Sequence, residues 1–393
     1  MLPPDLVCHA RIFAARTPGD RAQKENLRLK LGLLKILTVV GARPQFIKAA
    51  MVSRALRSRD GVREVLVHTG QHYDAAMSAV FFEELKIPQP DYNLEVGSAS
   101  HGAQTGRMLA DLERVIQAER PQWVVVHGDT NSTLAGTLAA AKLHMRVAHV
   151  EAGLRSFNRA MPEEVNRVVA DHVSDVLFAP TDIAEANLKA EGIAPQKIVR
   201  TGDVMLDAFQ FYSALIADKP LPAGVDPSTP YVLATVHRAE NTDDPARLRA
   251  ILDALLAVAK QVPLVFPIHP RTRKAIEQLG RQEHIAAQLR LLPPVGYLDM
   301  LNLERHAAVI ATDSGGVQKE AYFSGVPCVT LRTETEWVEL VECGANTLVS
   351  PDDSQAMAQT ICKRVGQRVA TGSLYGDGRA GARIVDYLLA SAK

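Results

Sequence analysis

Short apolar runs alternate along most of this sequence with longer segments whose apolar residues recur at helical spacing. From Lys35 onward the short runs are rich in Val and Ile and show no apolar/polar alternation. Such runs are typical of strands in a parallel sheet that is covered on both faces. Because strands alternate with helices, the pattern predicts right-handed βαβ units. The predicted strands lie in KILTVVG, REVLVHTG, QWVVVHGD, RVAHVEAG, VLFAP, YVLATVH, PLVFPIHP, RLLPPVG, AVIATDSGG, PCVTL and NTLVS.

The alternation is interrupted once, after TGDVMLDAF, by the Pro- and Gly-rich stretch DKPLPAGVDPSTP. The chain has 393 residues, enough for two or three domains. We therefore predict an α/β protein with two doubly wound, Rossmann-like domains facing a central cleft, over residues 35–204 and 205–374. The last segment, 375–393, is predicted to form a helix with no strand after it, and residues 1–34 a polar extension before the first strand.

Composition and charge argue against several functional classes. The 44 Lys and Arg residues balance the 44 Asp and Glu residues, so no bulk attraction to nucleic acid or to an anionic membrane is expected. No apolar run approaches the ~20 residues of a membrane span, and the first 34 residues lack the continuous apolar core of a secretory signal. The cysteines show neither CxxC nor metal-ligand spacing, which favours reduced thiols in a cytoplasmic protein. They are Cys8, Cys328, Cys343 and Cys362.

Charged, His or Gly residues follow nearly every predicted strand. Ligands of doubly wound folds bind beyond the carboxyl ends of the strands, so these residues are the first candidates for a site. A single polar strand end is commonly a helix cap or a turn. Seven polar strand ends that converge on one face of the cleft are better explained by a functional site. The seven are GARPQFIK, HTGQHYD, HGDTNS, HVEAGLR, TVHRAEN, PIHPRTR and TDSGGVQKE.

The motif TDSGGVQKEA joins a predicted strand to a predicted helix and is the best candidate for a phosphate site. Ser314 is a suitable N-cap, and Gly315 and Gly316 would let the backbone approach a ligand closely. Exposed amides and the helix dipole bind phosphate. Glu320 is placed to accept the hydroxyls of a ribose. The alternative is a capped helix with a tight turn.

Cationic and histidine side chains at other strand ends are further candidates for anion binding. Arg43 and Lys48 can offer positive charge to a phosphate, or can be solvated surface charges. His237 and His269 follow equivalent strands of the second predicted domain and are suited to neutralising a leaving diphosphate, or are structural. Neither GxGxxG nor GxxxxGK[ST] follows any strand, which weakens a dinucleotide or P-loop interpretation.

Carboxylates at the ends of two buried strands predict acid/base chemistry. A helix start explains Glu163 and Glu164, and Glu163 can pair with Arg167 at i,i+4. It does not explain Asp129 or Glu151, which follow buried strands directly. Charges so placed are paired or functional, and neighbouring carboxylates can raise one another's pKa into a catalytic range.

From about Lys35 to the C-terminus the sequence resembles the non-hydrolysing UDP-N-acetylglucosamine 2-epimerases in seven motifs that occur in the same order. They are GARPQFIK, TGQHYD, HGDTNSTLAG, HVEAGLRS, MPEEVNR, TVHRAEN and TDSGGVQKEA. The resemblance implies a GT-B glycosyltransferase-type fold in which the last helix packs back on the first domain. It implies conversion of UDP-N-acetylglucosamine to UDP-N-acetylmannosamine without NAD or metal, by a homodimer that supplies surface polysaccharide synthesis.

The resemblance also assigns roles to residues. The acid/base candidates are Asp129, Glu151, Glu163 and His237. The substrate and UDP contacts, to which we add Arg167, are Arg43, Lys48, His269, Ser314, Gly315, Gly316 and Glu320.

Two departures from the family pattern bear on the substrate. Trp337 and Val338 in TETEWVEL stand where many members have the Arg and Pro of TERPE, and QHYDAAMS replaces QHREMLD. The second region helps some relatives to bind an activating UDP-sugar. These variants also resemble members that epimerise UDP-2,3-diacetamido-glucuronate, so that sugar is the alternative substrate.

Without a nicotinamide, epimerisation at C2 requires UDP to leave first, so that a base can remove the acidified C2 hydrogen. Two faces require two acid/base groups, expected among Asp129, Glu151 and Glu163. The cleft should close over this intermediate. Rival functions are a glycosyltransferase of the same fold, a regulatory protein that binds nucleotide sugars, and a hydrolysing epimerase.

Overall fold

A computed structural model of the chain describes residues 33–71 and 84–391, which form two parallel β-sheets flanked by helices. The extension predicted for residues 1–34 lies almost wholly outside these residues. The first sheet has the strand order β3–β2–β1–β4–β5–β6–β7. Its strands are β1 Leu34–Val40, β2 Val62–His68, β3 Tyr92–Asn93, β4 Trp123–His127, β5 Arg146–Val150, β6 Val176–Ala179 and β7 Ile198–Arg200.

The second sheet has the strand order β10–β9–β8–β11–β12–β13, and all described strand pairs of both sheets are parallel. Its strands are β8 Val232–Thr235, β9 Leu264–Pro267, β10 Arg290–Leu292, β11 Val309–Thr312, β12 Cys328–Thr330 and β13 Asn346–Leu348. We call each sheet with the helices packed on it the first lobe and the second lobe.

Helices connect the strands of both sheets, and a short 3₁₀ turn at Pro195–Lys197 precedes β7. The α-helices are α1 Arg43–Arg57, α2 His101–Glu119, α3 Asn131–Lys142, α4 Pro162–Val173, α5 Asp182–Ala190, α6 Val204–Leu215, α7 Ala239–Thr242, α8 Pro245–Ala259, α9 Pro270–Gln278, α10 Gln282–Gln288, α11 Tyr297–His306, α12 Gly315–Phe323, α13 Val338–Glu342, α14 Ser354–Arg364 and α15 Ala380–Ala390. In the part of the chain that is described, no helix is both long and apolar enough to cross a membrane.

The central strands are buried on both faces, as their composition predicts. All five residues of β4 are buried, and so are all four of β8 and of β11. The predicted fold class, α/β with two doubly wound Rossmann-like sheets, is confirmed. The short edge strands β3 and β7 were not predicted, because two or three residues carry too little apolar pattern to be recognised.

The strand order reverses between β1 and β4 in the first sheet and between β8 and β11 in the second. Each reversal opens a crevice at the carboxyl edge of the sheet, where doubly wound folds bind their ligands. Asp129 follows β4, and His237 and Ser314 follow β8 and β11. The topology therefore brings these sequence candidates to the two crevices.

The last helix, α15, packs on the first lobe although it follows the second lobe in the chain. Its buried residues Ala380, Ile384 and Leu388 share a core with Ile36 of β1. The amides of Ala380 and Gly381 donate hydrogen bonds of 3.0 and 2.8 Å to the carboxylate of Asp207 on α6. A carboxylate at a helix N-terminus satisfies amides that have no partner within the helix.

Candidate active site

Glu151, directly after β5, lies in a buried cluster of four charges. Lys319 of α12 donates a 2.8 Å hydrogen bond to Oε1 of Glu151 and a 2.6 Å hydrogen bond to Oδ2 of Asp203. Lys48 of α1 donates to Oε2 of Glu151. We call Lys48, Glu151, Asp203 and Lys319 the lysine cluster. Their side chains are between 0% and 12% exposed, so water screens these charges little.

The ionisation of Glu151 differs from the sequence-based expectation. Burial alone would raise its pKa, but the charges of Lys319 and Lys48 outweigh burial and hold the pKa of Glu151 well below its usual value. The expected mutual raising of carboxylate pKa values is therefore wrong for this residue. Lys48, a candidate for phosphate binding, forms an ion pair with Glu151 in this structure.

The backbone also marks Glu151 as unusual. Its φ is +69°, a left-handed conformation that costs a non-glycine residue on the order of 1–3 kcal/mol. The neighbouring Gly128, at φ +62°, would place an added Cβ 3.1 Å from Nζ of Lys48. The chain thus keeps glycine where a side chain would crowd Lys48 and keeps a carboxylate at a position that favours glycine.

Asp129 belongs to a second cluster, centred on arginines. Nη2 of Arg167 donates to Oδ2 of Asp129 at 2.5 Å, and Nη1 donates to Oε2 of Glu164 at 2.9 Å. The same Nη2 lies 3.8 Å from Oε1 of Glu336 in the second lobe. We call Asp129, Glu164, Arg167, Arg238, Arg332 and Glu336 the arginine cluster.

Glu336 is the anionic centre of the arginine cluster. Its carboxylate accepts from Nη1 of Arg332 at 3.1 Å and from Nη2 of Arg238 at 3.5 Å. Burial would raise its pKa, but Arg332, Arg238 and Arg167 together lower the pKa of Glu336 to about 2. The side chains of Asp129 and Arg238 are 28% and 24% exposed, so this cluster opens to solvent.

Glu163 is separate from both clusters. It is exposed in the first turn of α4 and forms no ion pair with any described residue, whereas Glu164 is buried and accepts hydrogen bonds from the amides of Ser156 and Phe157. The predicted pairing of Glu163 with Arg167 is wrong, because the helix turns Glu164 toward Arg167 instead.

His237 follows β8 and is oriented by a buried carboxylate. Oδ1 of Asp313 lies 3.0 Å from Nδ1 of His237, and Asp313 also accepts from the amides of His237 and Arg238. The carboxylate favours a proton on Nδ1, which leaves Nε2 as the nitrogen that can exchange a proton with a ligand. The ring of His269, the N-cap of α9, lies edge-to-face at 5.6 Å.

The N-terminus of α12 presents open backbone to the same cleft. Ser314 occupies the N-cap position, but its side chain makes no capping hydrogen bond, contrary to the usual role of a serine there. A Cβ at Gly315 would come no closer than 3.7 Å to Nε1 of Trp337, and one at Gly316 no closer than 4.0 Å to Ser314. Packing therefore does not demand these glycines, and close approach of a ligand explains them better.

Glu320, predicted to bind a ribose, is buried in α12. Burial raises the pKa of Glu320 more than the Tyr297 hydroxyl and the charge of Lys319 lower it. Glu304 lies nearby, fully buried, and burial together with Glu320 raises its pKa. Arg43 is the first residue of α1, and its side chain lies outside the described part of the structure, as do residues 72–74 of the TGQHYD motif.

A third buried network fixes the loops that carry Asp129 and Glu151. His149 of β5 contacts Oδ1 of Asp171 through Nδ1 and the carbonyl of Gly128 through Nε2, both at 2.7 Å. The His149 ring thus bridges the Asp171 carboxylate and the Gly128 carbonyl. Asp171 also accepts from the amide of Gly153 at 3.1 Å. The residues on either side of Asp129 and Glu151 are thereby held in place.

No group of three or more His, Cys, Asp or Glu residues within the described ranges is arranged to hold a metal ion.

Residues 54–389 match the family model described as UDP-N-acetylglucosamine 2-epimerase. The chain belongs to this family.

Two curated members of the UDP-N-acetylglucosamine 2-epimerase family match the chain over nearly their whole length. The UDP-2,3-diacetamido-2,3-dideoxy-D-glucuronate 2-epimerase of Pseudomonas aeruginosa is 52% identical over 359 residues, covering 90% of this chain and 99% of that protein. A UDP-N-acetylglucosamine 2-epimerase homolog of Methanococcus maripaludis is 49% identical over 360 residues, with the same coverage of 90% and 99%.

The fold is shared with a solved structure of the same family. The crystal structure of the Methanocaldococcus jannaschii UDP-GlcNAc 2-epimerase in complex with UDP-GlcNAc and UDP has a TM-score of 0.85 and 42% identity, and covers 91% of this chain and 100% of that one. The GT-B-type arrangement that the motifs implied is confirmed.

Sequence reasoning missed three residues that hold the site together: Lys319, Asp203 and Glu336. Lys319 lies one turn beyond Gly315 on the same helix face, and that spacing was available as a signal. Asp203 follows β7 and would have been selected by the strand-end rule had that short strand been recognised. Glu336 carried little signal, because two of its three arginine partners, Arg167 and Arg238, come from distant segments of the chain.

Proposed function

We propose that this family member is a non-hydrolysing 2-epimerase whose substrate is UDP-2,3-diacetamido-2,3-dideoxy-glucuronate. The observation that carries the proposal is the 52% identity to the P. aeruginosa enzyme of that name over 99% of its length. Trp337 and Val338, which replace the Arg and Pro common in the family, support it. Nε1 of Trp337 faces the space beside Gly315. A changed residue beside the ligand space is where a changed sugar would be recognised.

In this proposal the diphosphate binds at the N-terminus of α12. The amides around Gly315 and Gly316 and the helix dipole stabilise its negative charge, and His269 lies close by, beside His237. The sugar then extends toward Asp129 and Glu151 of the first lobe. The two predicted domains, 35–204 and 205–374, would supply the sugar site and the nucleotide site respectively.

The reaction proceeds by elimination and re-addition. The bond between C1 and the phosphate oxygen breaks, and its electron pair leaves with UDP. A base takes the C2 proton, and the electrons of the C–H bond form the C1=C2 double bond of a 2-acetamido glycal. UDP then adds back to C1 while an acid delivers a proton to the opposite face of C2.

Three of the candidate acid/base groups have distinct surroundings that would suit them to different roles. Glu151 is held ionised by the two lysines, so it is available as a proton acceptor throughout the neutral pH range. His237, oriented by Asp313, can give or take one at Nε2. Asp129, paired with Arg167, is partly open to solvent. Glu163 remains a candidate only if closure of the cleft brings substrate to the exposed start of α4.

UDP-N-acetylglucosamine is the second candidate substrate. It is favoured by the M. jannaschii structure, which was solved in complex with UDP-GlcNAc and UDP and is 42% identical to this chain. A homodimer that serves bacterial surface polysaccharide synthesis accompanies either substrate in this proposal.

The test is to offer each UDP-sugar separately in D2O and to follow the reaction by ¹H NMR. We expect the diacetamido-glucuronate to lose its C2 proton signal, to give an intact UDP-linked product, and to react faster than UDP-N-acetylglucosamine. Faster reaction of UDP-N-acetylglucosamine would identify that sugar, the second candidate, as the preferred substrate. Release of free sugar, transfer to an acceptor without label, or binding of both sugars without reaction would overturn it.

A further inference from the structure

Lys319 is the residue through which the second lobe reaches the candidate base of the first lobe. Its side chain is 1% exposed, and its ammonium group donates to Glu151 at 2.8 Å and to Asp203 at 2.6 Å. It also lies 4.0 Å from the centroid of the Trp337 ring, within the range of a cation–π contact. Two carboxylates and one aromatic ring thus surround the ammonium group of Lys319 and hold it in one position.

The charges around Lys319 balance. Lys48 and Lys319 contribute two positive charges, and Glu151 and Asp203 contribute two negative charges. A buried group of charges is tolerated only when it is paired in this way, since removing one partner leaves an uncompensated charge. Loss of Lys319 would leave Glu151 and Asp203 with only one ammonium between them.

The two lysines that hold Glu151 ionised are not equivalent. Lys48 is 12% exposed and belongs to the same lobe as Glu151, whereas Lys319 is fully enclosed and comes from the helix whose N-terminus faces the nucleotide site. Lys48 can therefore turn toward an incoming diphosphate while Lys319 keeps its contact. When Lys48 turns away, Lys319 of the second lobe is the cation that keeps Glu151 ionised.

We propose that Lys319 is a positioning residue for proton transfer at C2, which holds Glu151 as a carboxylate base across the junction of the two lobes. This inference rests on the proposed epimerase function and adds to it the residue that keeps Glu151 ionised. Lys319 does not touch the sugar itself. The titratable groups that face Glu151 and Lys319 are Lys48 of α1, His127 of β4, Asp203 before α6, and Glu320 and Glu339 of the second lobe.

The test compares Lys319→Met with wild type by the rate of C2 hydrogen exchange in D2O, from about pH 5 to pH 9. A base must be ionised to act, and the pKa of Glu151 is lowered to about 2, so wild type should show no acid limb from this residue in the measured range. Removing Lys319 takes away the largest charge that lowers this pKa, so an acid limb should enter the range in Lys319→Met. At the low-pH end of the range the rate of the variant should then fall about tenfold or more below that of wild type.

Three variants separate positioning from folding. Lys319→Met combined with Asp203→Asn restores the charge balance and should fold, yet should still show the acid limb. Lys319→Arg retains the charge and should return the profile toward wild type. Lys35→Met removes a different lysine–glutamate pair of the first lobe, with Glu119 at 3.1 Å, and should not introduce the limb.

The outcomes are distinguishable. A double variant that binds UDP and exchanges with a wild-type pH profile would overturn the role of Lys319 and leave the epimerase function standing. Absence of exchange in wild type with either UDP-sugar would overturn the proposed function itself. An acid limb in Lys319→Met and in the double variant, absent in Lys319→Arg, would support the inference.

Discussion

The lysine cluster and the arginine cluster both join the two lobes, but they differ in exposure. Every side chain of the lysine cluster is between 0% and 12% exposed. In the arginine cluster Asp129 and Arg238 are 28% and 24% exposed, and His237, adjacent to Arg238, is 41% exposed. One cluster is closed to water, and the other lies at the open side of the cleft.

The choice of cation matches this difference. Lys319 is a compact charge that two carboxylates and an aromatic ring can surround completely. The planar guanidinium of Arg167 instead directs its nitrogens at separate carboxylates, Asp129 and Glu164, and reaches toward Glu336. The closed cluster fixes a charge in advance, and the open cluster can exchange partners when a ligand enters.

The largest expected effect comes from removing one candidate carboxylate from each cluster. Glu151→Gln and Asp129→Asn should each lower C2 exchange by about 10²–10⁴-fold, while UDP affinity, measured by calorimetry, changes little. Their stabilities should differ. Glu151→Gln leaves two enclosed ammonium groups with one carboxylate and should lose about 3–5 kcal/mol of unfolding free energy, whereas Asp129→Asn should lose less.

A near-normal rate of C2 hydrogen exchange in both variants would contradict the acid/base roles of Glu151 and Asp129. The unfolding free energies are measured by urea unfolding. Equal loss of unfolding free energy in both would contradict the distinction between a closed and an open cluster.

A smaller effect is expected from Glu336→Gln, and it should depend on pH. The pKa of Glu336 is lowered to about 2, so the stabilisation it provides is present above its unfolded pKa and is lost as pH falls toward 2. The difference in unfolding free energy between wild type and Glu336→Gln should therefore shrink by on the order of 2 kcal/mol from about pH 7 to about pH 3.

The matched control is Glu342→Gln, which removes an exposed carboxyl that has no ion pair among the described residues. Urea unfolding at both pH values should leave this control close to wild type. A pH-independent difference for Glu336→Gln would show that the three arginines do not stabilise its charge.

The smallest effect is expected from Gly315→Ala, and it should separate binding from stability. The nearest atoms to the new Cβ are 3.7 and 3.9 Å away, so the fold should tolerate it. UDP affinity should fall by about tenfold, because the methyl group blocks a hydrogen bond between backbone and phosphate.

Gly106→Ala in α2 is the control for Gly315→Ala, since an added Cβ there meets no described atom within 4 Å. It should raise the unfolding free energy by about 0.5–1 kcal/mol without affecting UDP binding. Unchanged UDP affinity in Gly315→Ala would place the diphosphate elsewhere.

The sequence was sufficient to predict the sheets and the edges at which the candidates lie. Runs such as the one in β4 are apolar without alternation, and the strand-end rule selected Asp129, Glu151 and His237 from local pattern alone. These predictions depend on properties of the chain that are local.

Ion-pair partners could not be predicted, because they depend on how helices are rotated and how the lobes meet. Glu163 and Glu164 are adjacent in sequence, and only the packing of α4 decides that Glu164 is buried against Arg167. Likewise, Lys319, one of the two lysines that pair with Glu151, lies 168 residues away in the other lobe. No local pattern encodes that contact.

The position of α15 affects how the protein folds during synthesis. Ala380, Ile384 and Leu388 complete a core that begins with Ile36, so one of the earliest strands to leave the ribosome is covered by one of the last helices. Domains made early in translation generally fold early. The apolar groove that α15 fills on the first lobe therefore stays uncovered until that helix has been synthesised, and ribosomes stalled before residue 380 should release chains that are prone to aggregate.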